Sequence, residues 1–323
     1  MNILYILGNG FDKAQGMATS YPEFYKYLMD NTNNGSELLQ QLKKDIKEDK
    51  ELWSDMEEAF GVFTQKIKNI EIFDDFYFEL SELLQEYLKS EEGKFLISQQ
   101  LKDKFKSDFI SVSGSLSPLD KIRFSNYRNI FGGDNEIYVI TLNYTNTLEK
   151  LLDNKISERR FDNRNILHGV IHLHGTLDNS IIIGVDNEEQ IANKELCKDE
   201  DVKDLLIKNQ SNIAMKQTRQ ITCESWIENA NLIILYGVSL GNTDIRWWNL
   251  IGNQLKKRNT LAIIQHLYTP GAITPTTRQK IGKLERTQIA NIKERMGINK
   301  EDDSNDNIKN RLFFTVNSNI FKL

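Results

Sequence analysis

Short continuous apolar runs alternate along this chain with longer stretches whose apolar residues recur at helical spacing. Ile3-Leu4-Tyr5-Ile6-Leu7 stops abruptly at Gly8. A run with no polar alternation predicts a central parallel strand buried on both faces. Ile137–Leu142, Leu232–Gly237 and Leu261–Leu267 read the same way, and Val170–Leu173, Ile181–Val185 and Arg311–Val316 predict shorter strands. Ser20-Tyr-Pro-Glu23 predicts a helix entry, with Ser20 as the cap, Glu23 closing a capping box and Pro22 in the first turn. From Gly35 to Ile130 the spacing is almost all helical. Leu38, Leu39 and Leu42 share a face, as do Trp53, Met56, Phe60 and Phe63, and then Phe76, Leu80, Leu83, Leu84 and Tyr87. Further helices are predicted over 144–152, 188–229, 243–257 and 276–296, and 300–309 reads as a polar loop.

Strands alternating with helices predict an α/β fold with a doubly wound parallel sheet of Rossmann-like character, covered on both faces. Ile3–Leu7, Tyr138–Leu142 and Leu232–Tyr236 are its expected neighbouring core strands. The expected core comprises residues 1–34 and 132–323, with 35–131 as a helical insertion. A chain of 323 residues is long enough for such an arrangement. The balance of 41 basic and 46 acidic residues lacks a nucleic-acid binder's basic surplus. Cys197 and Cys223 stand alone, forming neither a disulfide framework nor a four-ligand zinc cluster, and suit a reducing compartment. With no leader-like segment and no apolar run near the ~20 residues of a membrane span, a cytoplasmic protein is expected.

Four motifs carry the candidate chemistry. The first strand ends in Gly8-Asn9-Gly10. Gly-x-Gly between strand and helix places backbone N–H groups where a pyrophosphate sits, Gly8 permitting the turn and Gly10 a close approach. Lys13 holds the third place of the dinucleotide fingerprint and the next glycine is Gly16, so an ordinary strand-to-helix turn is the alternative. Thr141-Leu-Asn143-Tyr-Thr145 lies at a second strand end, where Asn143 suits either a ribose or carboxamide contact or a helix cap. His168-Gly-Val-Ile-His172-Leu-His174-Gly175 puts three of the four histidines in seven residues. His172 and His174 are expected on one strand face. A single histidine as general base fits this run better than a metal site, because no carboxylate or cysteine shares it; a satisfied buried histidine is the plain alternative. Tyr236-Gly237-Val-Ser239-Leu-Gly-Asn-Thr-Asp244 ends a third strand. Gly237 and Ser239 are placed to approach a ribose or phosphate, Asn242, Thr243 or Asp244 to cap the next helix, and Trp247 and Trp248 to pack in the core. In a parallel sheet such strand ends converge on one crevice.

In these motifs the chain resembles the sirtuin-like NAD-consuming fold. Gly8, Gly10 and Gly16 resemble its opening glycine loop, and Thr141, Asn143 and Thr145 its Thr-x-Asn-x-Asp element. Leu173-His174-Gly175 is similar to its base motif and Gly237-Val-Ser239-Leu to its Gly-x-Ser-Leu element. More narrowly, Gly8-Asn-Gly-Phe-Asp12, Thr19-Ser-Tyr21, Trp53-Ser-Asp-Met-Glu57, Asn143-Tyr-Thr, His174-Gly and Ser239-Leu-Gly-x-Thr-Asp244 resemble the AbiH family of bacterial abortive-infection proteins. Two departures stand out. Thr145 replaces the aspartate that helps hold nicotinamide in sirtuins, and the four-cysteine zinc module of the deacylases is missing, which points to water as acceptor.

The resemblance implies an anti-phage enzyme that hydrolyses NAD, its substrate, at the nicotinamide–ribose bond to nicotinamide and ADP-ribose, without a metal. It implies Asn143 and His174 as catalytic residues, with His174 the base. Gly8, Asn9, Gly10, Asp12, Gly16, Thr141, Gly237 and Ser239 are the implied contacts to the nucleotide. Constitutive NAD loss is toxic, so control by self-assembly, a partner protein or a phage trigger acting through the helical insertion is expected. Two other readings remain: a non-catalytic NAD or ADP-ribose module that signals to a partner, and a metal-dependent nuclease, for which the histidine run is the only argument.

Overall fold

The computed structural model describes residues 1–32, 35–271, 273–303 and 307–322. Seven strands form one sheet: β1 Asn2–Leu7, β2 Asn135–Thr141, β3 Arg159–Arg160, β4 Asn165–His172, β5 Leu232–Tyr236, β6 Ala262–Leu267 and β7 Leu312–Val316. The spatial order is β3-β4-β2-β1-β5-β6-β7, and every pairing except β3 with β4 is parallel. Leu7 lies level with Thr141 on one side and Tyr236 on the other. The predicted trio of central strands is therefore adjacent, and its C-terminal ends come together. The chain winds outward from β1 through β2 and β4, then crosses to β5 on the other side. Such a reversal opens a crevice beyond the strand ends.

The thirteen α-helices of the described residues follow in chain order. They are α1 Gly10–Ala14, α2 Tyr21–Asn31, α3 Glu37–Glu48, α4 Met56–Phe63, α5 Ile70–Lys94, α6 Gln99–Ile110, α7 Pro118–Arg128, α8 Thr147–Leu151, α9 Glu200–Leu206, α10 Lys208–Ala214, α11 Arg219–Asn229, α12 Ile245–Lys257 and α13 Ile281–Arg295. Alternate β1 residues face opposite sides of the sheet. Ile3, Tyr5 and Leu7 pack with Leu101, Phe105 and Phe109 of α6 and Phe124 of α7. Leu4 and Ile6 pack with Ile227 of α11, Trp248 and Ile251 of α12 and Ile292 of α13. Burial of each such side chain contributes about 1.5–3 kcal/mol. A third apolar core joins α2–α5 to α9 through Phe24, Phe60, Phe76, Leu80, Val202 and Leu206. Helices from the 35–131 block thus go to two places: α3–α5 build a separate lobe, whereas α6 and α7 cover the sheet. Residue 34, where the expected core and insertion meet, lies outside the described residues, as do residues 304–306 of the expected polar loop.

Several local expectations are corrected. β4 begins at Asn165 rather than Val170, with an irregular register opposite Ile137 and Tyr138. Residues 181–185 form no strand; Ile181 and Val185 make isolated bridges to Gly175 and Ile207. The helical stretch 188–229 is broken into short turns and α9–α11, because Asp199 and Ile207 adopt extended backbone between segments. Helix α8 starts at Thr147, after an irregular Asn143–Asn146 turn. The short antiparallel β3 carries charged Arg159 and Arg160 and had no apolar signal to mark it.

Candidate functional site

The loops after β1, β2, β4 and β5, with the entries to α2 and α4, enclose a cleft of about 370 Å³. Its floor is a backbone crossing. Gly8 N–H donates to Tyr236 O and Gly10 N–H to Gly237 O, each at 3.0 Å. A Cβ on Gly10 would stand 2.4 Å from Gly237 Cα, and Gly237 itself has φ +68°. The glycines are thus required by contact between two loops, quite apart from any ligand. The crossing also uses their N–H groups. Phe11 N–H donates back to Gly8 O, while the Asn9 N–H has no partner among the described residues.

Asp12 rises from α1 into this floor, 1% exposed. Its Oδ2 accepts from Thr145 Oγ1 at 2.6 Å and its Oδ1 from Asn143 Nδ2 at 3.3 Å. Asn143 Nδ2 also donates to Gly8 O at 3.1 Å. Burial pushes the Asp12 carboxyl up to about 7, against the downward pull of the Thr145 and Thr147 hydroxyls. Thr145, at the place where the resemblance expects an aspartate, has a physical rationale here. A carboxylate at 145 would face the Asp12 carboxyl at hydrogen-bond distance.

The three clustered histidines part company. His168 lies between Glu136 and Glu158 and stacks on Tyr138. His172 donates from Nδ1 to Asn143 O at 2.8 Å and meets Glu149 Oε1 at 2.7 Å through Nε2. Burial pulls the His172 imidazole down, but the hydrogen bond and charge of Glu149 win, so its value is raised. His174 lies beyond the end of β4, where the chain turns at Gly175 with φ +85°. It therefore does not share a strand face with His172, as alternation alone had predicted. Among the described residues, no three His, Cys, Asp or Glu side chains are placed to hold a metal ion.

His174 lines the cleft, 4% exposed. Its Nε2 is 3.0 Å from Asp244 Oδ1, off the axis a hydrogen bond requires, and neither ring nitrogen makes one. Burial and the Lys208 ammonium lower its affinity for a proton, so the imidazole is neutral near pH 7. Asp244 stands at the start of α12 but makes no capping bond. It accepts instead from Lys208 Nζ at 3.1 Å, and Lys208 reaches Glu57 Oε2 at 2.7 Å and Thr243 O at 3.1 Å. One cation thus serves two acids. Burial pushes Asp244 up, but Lys208 and His174 hold it at about 2, whereas burial pushes Glu57 up to about 7. Asp55 explains how Glu57 arrives there: its carboxylate caps α4 by accepting from Glu57 N and Glu58 N, and the first turn carries Glu57 into the cleft.

Gly8, Asn9, Gly10, Asp12, Asn143, His174, Gly237 and Ser239 all line this cleft. Gly16 and Thr141 do not. Gly16 follows α1 at φ +78°, and Thr141 is buried with its hydroxyl accepting from Asn143 N at 3.2 Å. Lys208 was missed, and Glu57 and Asp244 were noticed only as part of a resemblance or as a cap. No local signal marks Lys208, which sits in a polar helical stretch 36 residues before its partner Asp244. The six segments quoted for the AbiH resemblance, scattered from Gly8 to Asp244, each place a residue on the cleft. The family model for bacteriophage abortive infection AbiH matches residues 4–266. The chain belongs to the AbiH family. Membership places it in anti-phage abortive infection. No curated protein matches it. Among the described residues, no helix is long and apolar enough to cross a membrane.

Proposed function

We propose that this AbiH-family protein acts in abortive infection as an NAD glycohydrolase, with His174 as general base. The observation that carries the reading is the neutral His174 imidazole, buried on the cleft with both ring nitrogens unbonded. A neutral imidazole has a free lone pair to take a proton, and the Asp244 carboxylate offsets part of the penalty that burial and Lys208 place on the charged ring. The cleft's place at the chain reversal is also where open α/β sheets receive ligands. In this reading water attacks ribose C1′, forming a C–O bond as the C–N bond to nicotinamide breaks. The bonding pair leaves with nicotinamide, neutralising its ring, and the water proton passes to His174. Asn9 N–H and Lys13 meet the pyrophosphate, because the Gly8, Gly10 and Phe11 N–H groups are already used. Asn143 Oδ1, with no partner among the described residues, orients the ribose or water.

One observation favours binding without cleavage. Both groups aligned with the carboxamide-holding pair, Asn143 and Thr145, spend their donors on Asp12 and Gly8. The two readings part on incubation of the purified protein with NAD, alone and with extract of phage-infected cells. We expect free nicotinamide from the wild type and a loss of about 10²–10⁴-fold in folded His174→Ala, which retains NAD binding. A His174→Ala protein with the wild-type rate removes His174 as base. Tight NAD binding without nicotinamide release in either condition establishes the binding reading.

A further inference from the structure

The proposed base has a charged support that its own role does not require. Asp244 Oδ1 stands 3.0 Å from His174 Nε2. Although the oxygen lies off the ring-nitrogen axis, a carboxylate at that separation attracts an N–H on Nε2 and repels a lone pair there, so the proton of the neutral ring belongs on Nε2. The carboxylate does not drift, because Lys208 Nζ holds the same Oδ1 at 3.1 Å, and Lys208 is 5% exposed. Lys208 is in turn held by Glu57 Oε2 at 2.7 Å and Thr243 O at 3.1 Å. The chain of contacts therefore starts in α4 of the helical lobe, passes through α10 and ends on the imidazole beside β4. Packing alone does not call for three ionisable groups here, since apolar side chains would fill the space without the penalty of desolvating charge. An orienting carboxylate behind a histidine is a recurring way to fix both tautomer and ring angle.

We propose that Asp244 is the positioning residue of His174, fixing the proton on Nε2 and leaving Nδ1 as the nitrogen that accepts a proton, while the Glu57–Lys208 pair fixes Asp244 from the helical lobe. The role deepens the reading of His174 as base, but the tautomer exists whether or not NAD is cleaved. The groups facing His174 are Asp244 at the start of α12, Lys208 on α10 and Arg219 on α11, with Asp186 and Arg246 lining the small void behind it. Two of these have opposite effects on the ring. Asp244 favours its protonated form and Lys208 its neutral form.

The test is ¹⁵N NMR of the histidine side chains in the full chain, assigned among the four histidines by His174→Gln. In the wild type we expect a protonated Nε2 and an unprotonated Nδ1 at neutral pH. In Asp244→Asn we expect the His174 titration to shift to lower pH, because the carboxylate nearest the ring no longer opposes the effect of Lys208. Nicotinamide release, where present, falls by up to about 10⁴-fold, the loss seen when an orienting carboxylate becomes an amide in a serine-protease triad. A wild-type ring protonated on Nδ1, or averaging between both nitrogens, overturns the proposal, and this measurement stands even if Asp244→Asn does not fold. A folded Asp244→Asn protein with an unshifted titration also overturns it. The expected tautomer and shift in a protein that never releases nicotinamide would uphold the role of Asp244 and remove the glycohydrolase reading.

Discussion

Asp12 and Asp244 line the same cleft and both lie largely out of solvent, yet their protonation runs in opposite directions. Asp12, just after β1, is pushed up to about 7; Asp244, after β5, is held at about 2. Burial raises both. The difference lies in the partners. Asp12 meets the hydroxyl of Thr145 and the amide of Asn143, neutral donors that offset only part of its desolvation. Asp244 meets the Lys208 ammonium and the His174 ring. A single buried cation therefore divides the cleft into a side that stays ionised and a side that takes up a proton near neutrality. Glu57 is the exception on the ionic side: it meets Lys208 at 2.7 Å, yet burial, with the neighbouring Asp244 and Asp55 carboxylates, pushes it up to about 7, because one cation serves two buried acids.

The sharpest way to break this contrast is to remove the cation. Lys208→Met leaves Glu57 and Asp244 without their counter-charge in a buried site, and the expected cost is about 3–5 kcal/mol in urea unfolding at pH 7. Adding Asp244→Asn to the same chain should recover part of that loss. A cost below about 1 kcal/mol for Lys208→Met alone would show that the two sides are not electrostatically distinct.

The next effect is a pH slope. The Asp12 carboxyl, raised to about 7 from an ordinary value of 3.8, contributes stability that is complete below pH about 4 and lost as the pH rises through about 7. Asp244 has the opposite sign. Its depressed value, about 2, contributes stability above pH about 4 that is lost as the pH falls through about 2. Unfolding free energies across pH 4–8 should therefore decline more steeply toward high pH in the wild type than in Asp12→Asn. The difference should amount to a few kcal/mol across the window. Parallel pH profiles for the two proteins would mean that Asp12 is ionised throughout.

The smallest effect sharpens the neutral side. Thr145→Val removes the hydroxyl that donates to Asp12 at 2.6 Å while keeping its shape. A loss of about 1 kcal/mol is expected. The midpoint of the Asp12-dependent slope should move to higher pH, because that hydroxyl favours the ionised form. If the midpoint moves down, Thr145 accepts from a protonated Asp12 instead of donating to it.

The central sheet was legible because its strands are written locally. Five uninterrupted apolar residues from Ile3 to Leu7 can be buried on both faces only in the middle of a sheet, and β1 is there, between β2 and β5. The glycine loop was legible as a constraint but not in its cause, which is the crossing of Gly10 over Gly237, more than two hundred residues apart. The Ser20–Glu23 helix entry was legible because its partners lie three residues apart, Glu23 accepting from Ser20 N at 2.9 Å. Convergence of Gly8, Asn143, His174 and Ser239 followed from parallel topology, which brings strand ends together whatever their separation in sequence.

Tertiary structure alone decided which polar residues meet. His172 and His174 are two residues apart, and alternation placed them on one face. The end of β4 and the left-handed turn at Gly175 sent one to Glu149 and the other to Asp244. Lys208 and Glu57 lie 151 residues apart, Lys208 in a polar helical stretch and Glu57 beside an apolar helix face, and nothing local pairs them. Charged residues on a helix surface carry no local mark of burial, because burial depends on what later packs against them. The sequence thus determined where the backbone is apolar or must turn, both short-range properties. The protonation of each group in the cleft depends on desolvation and on charges within a few ångströms, and only the folded chain sets those distances.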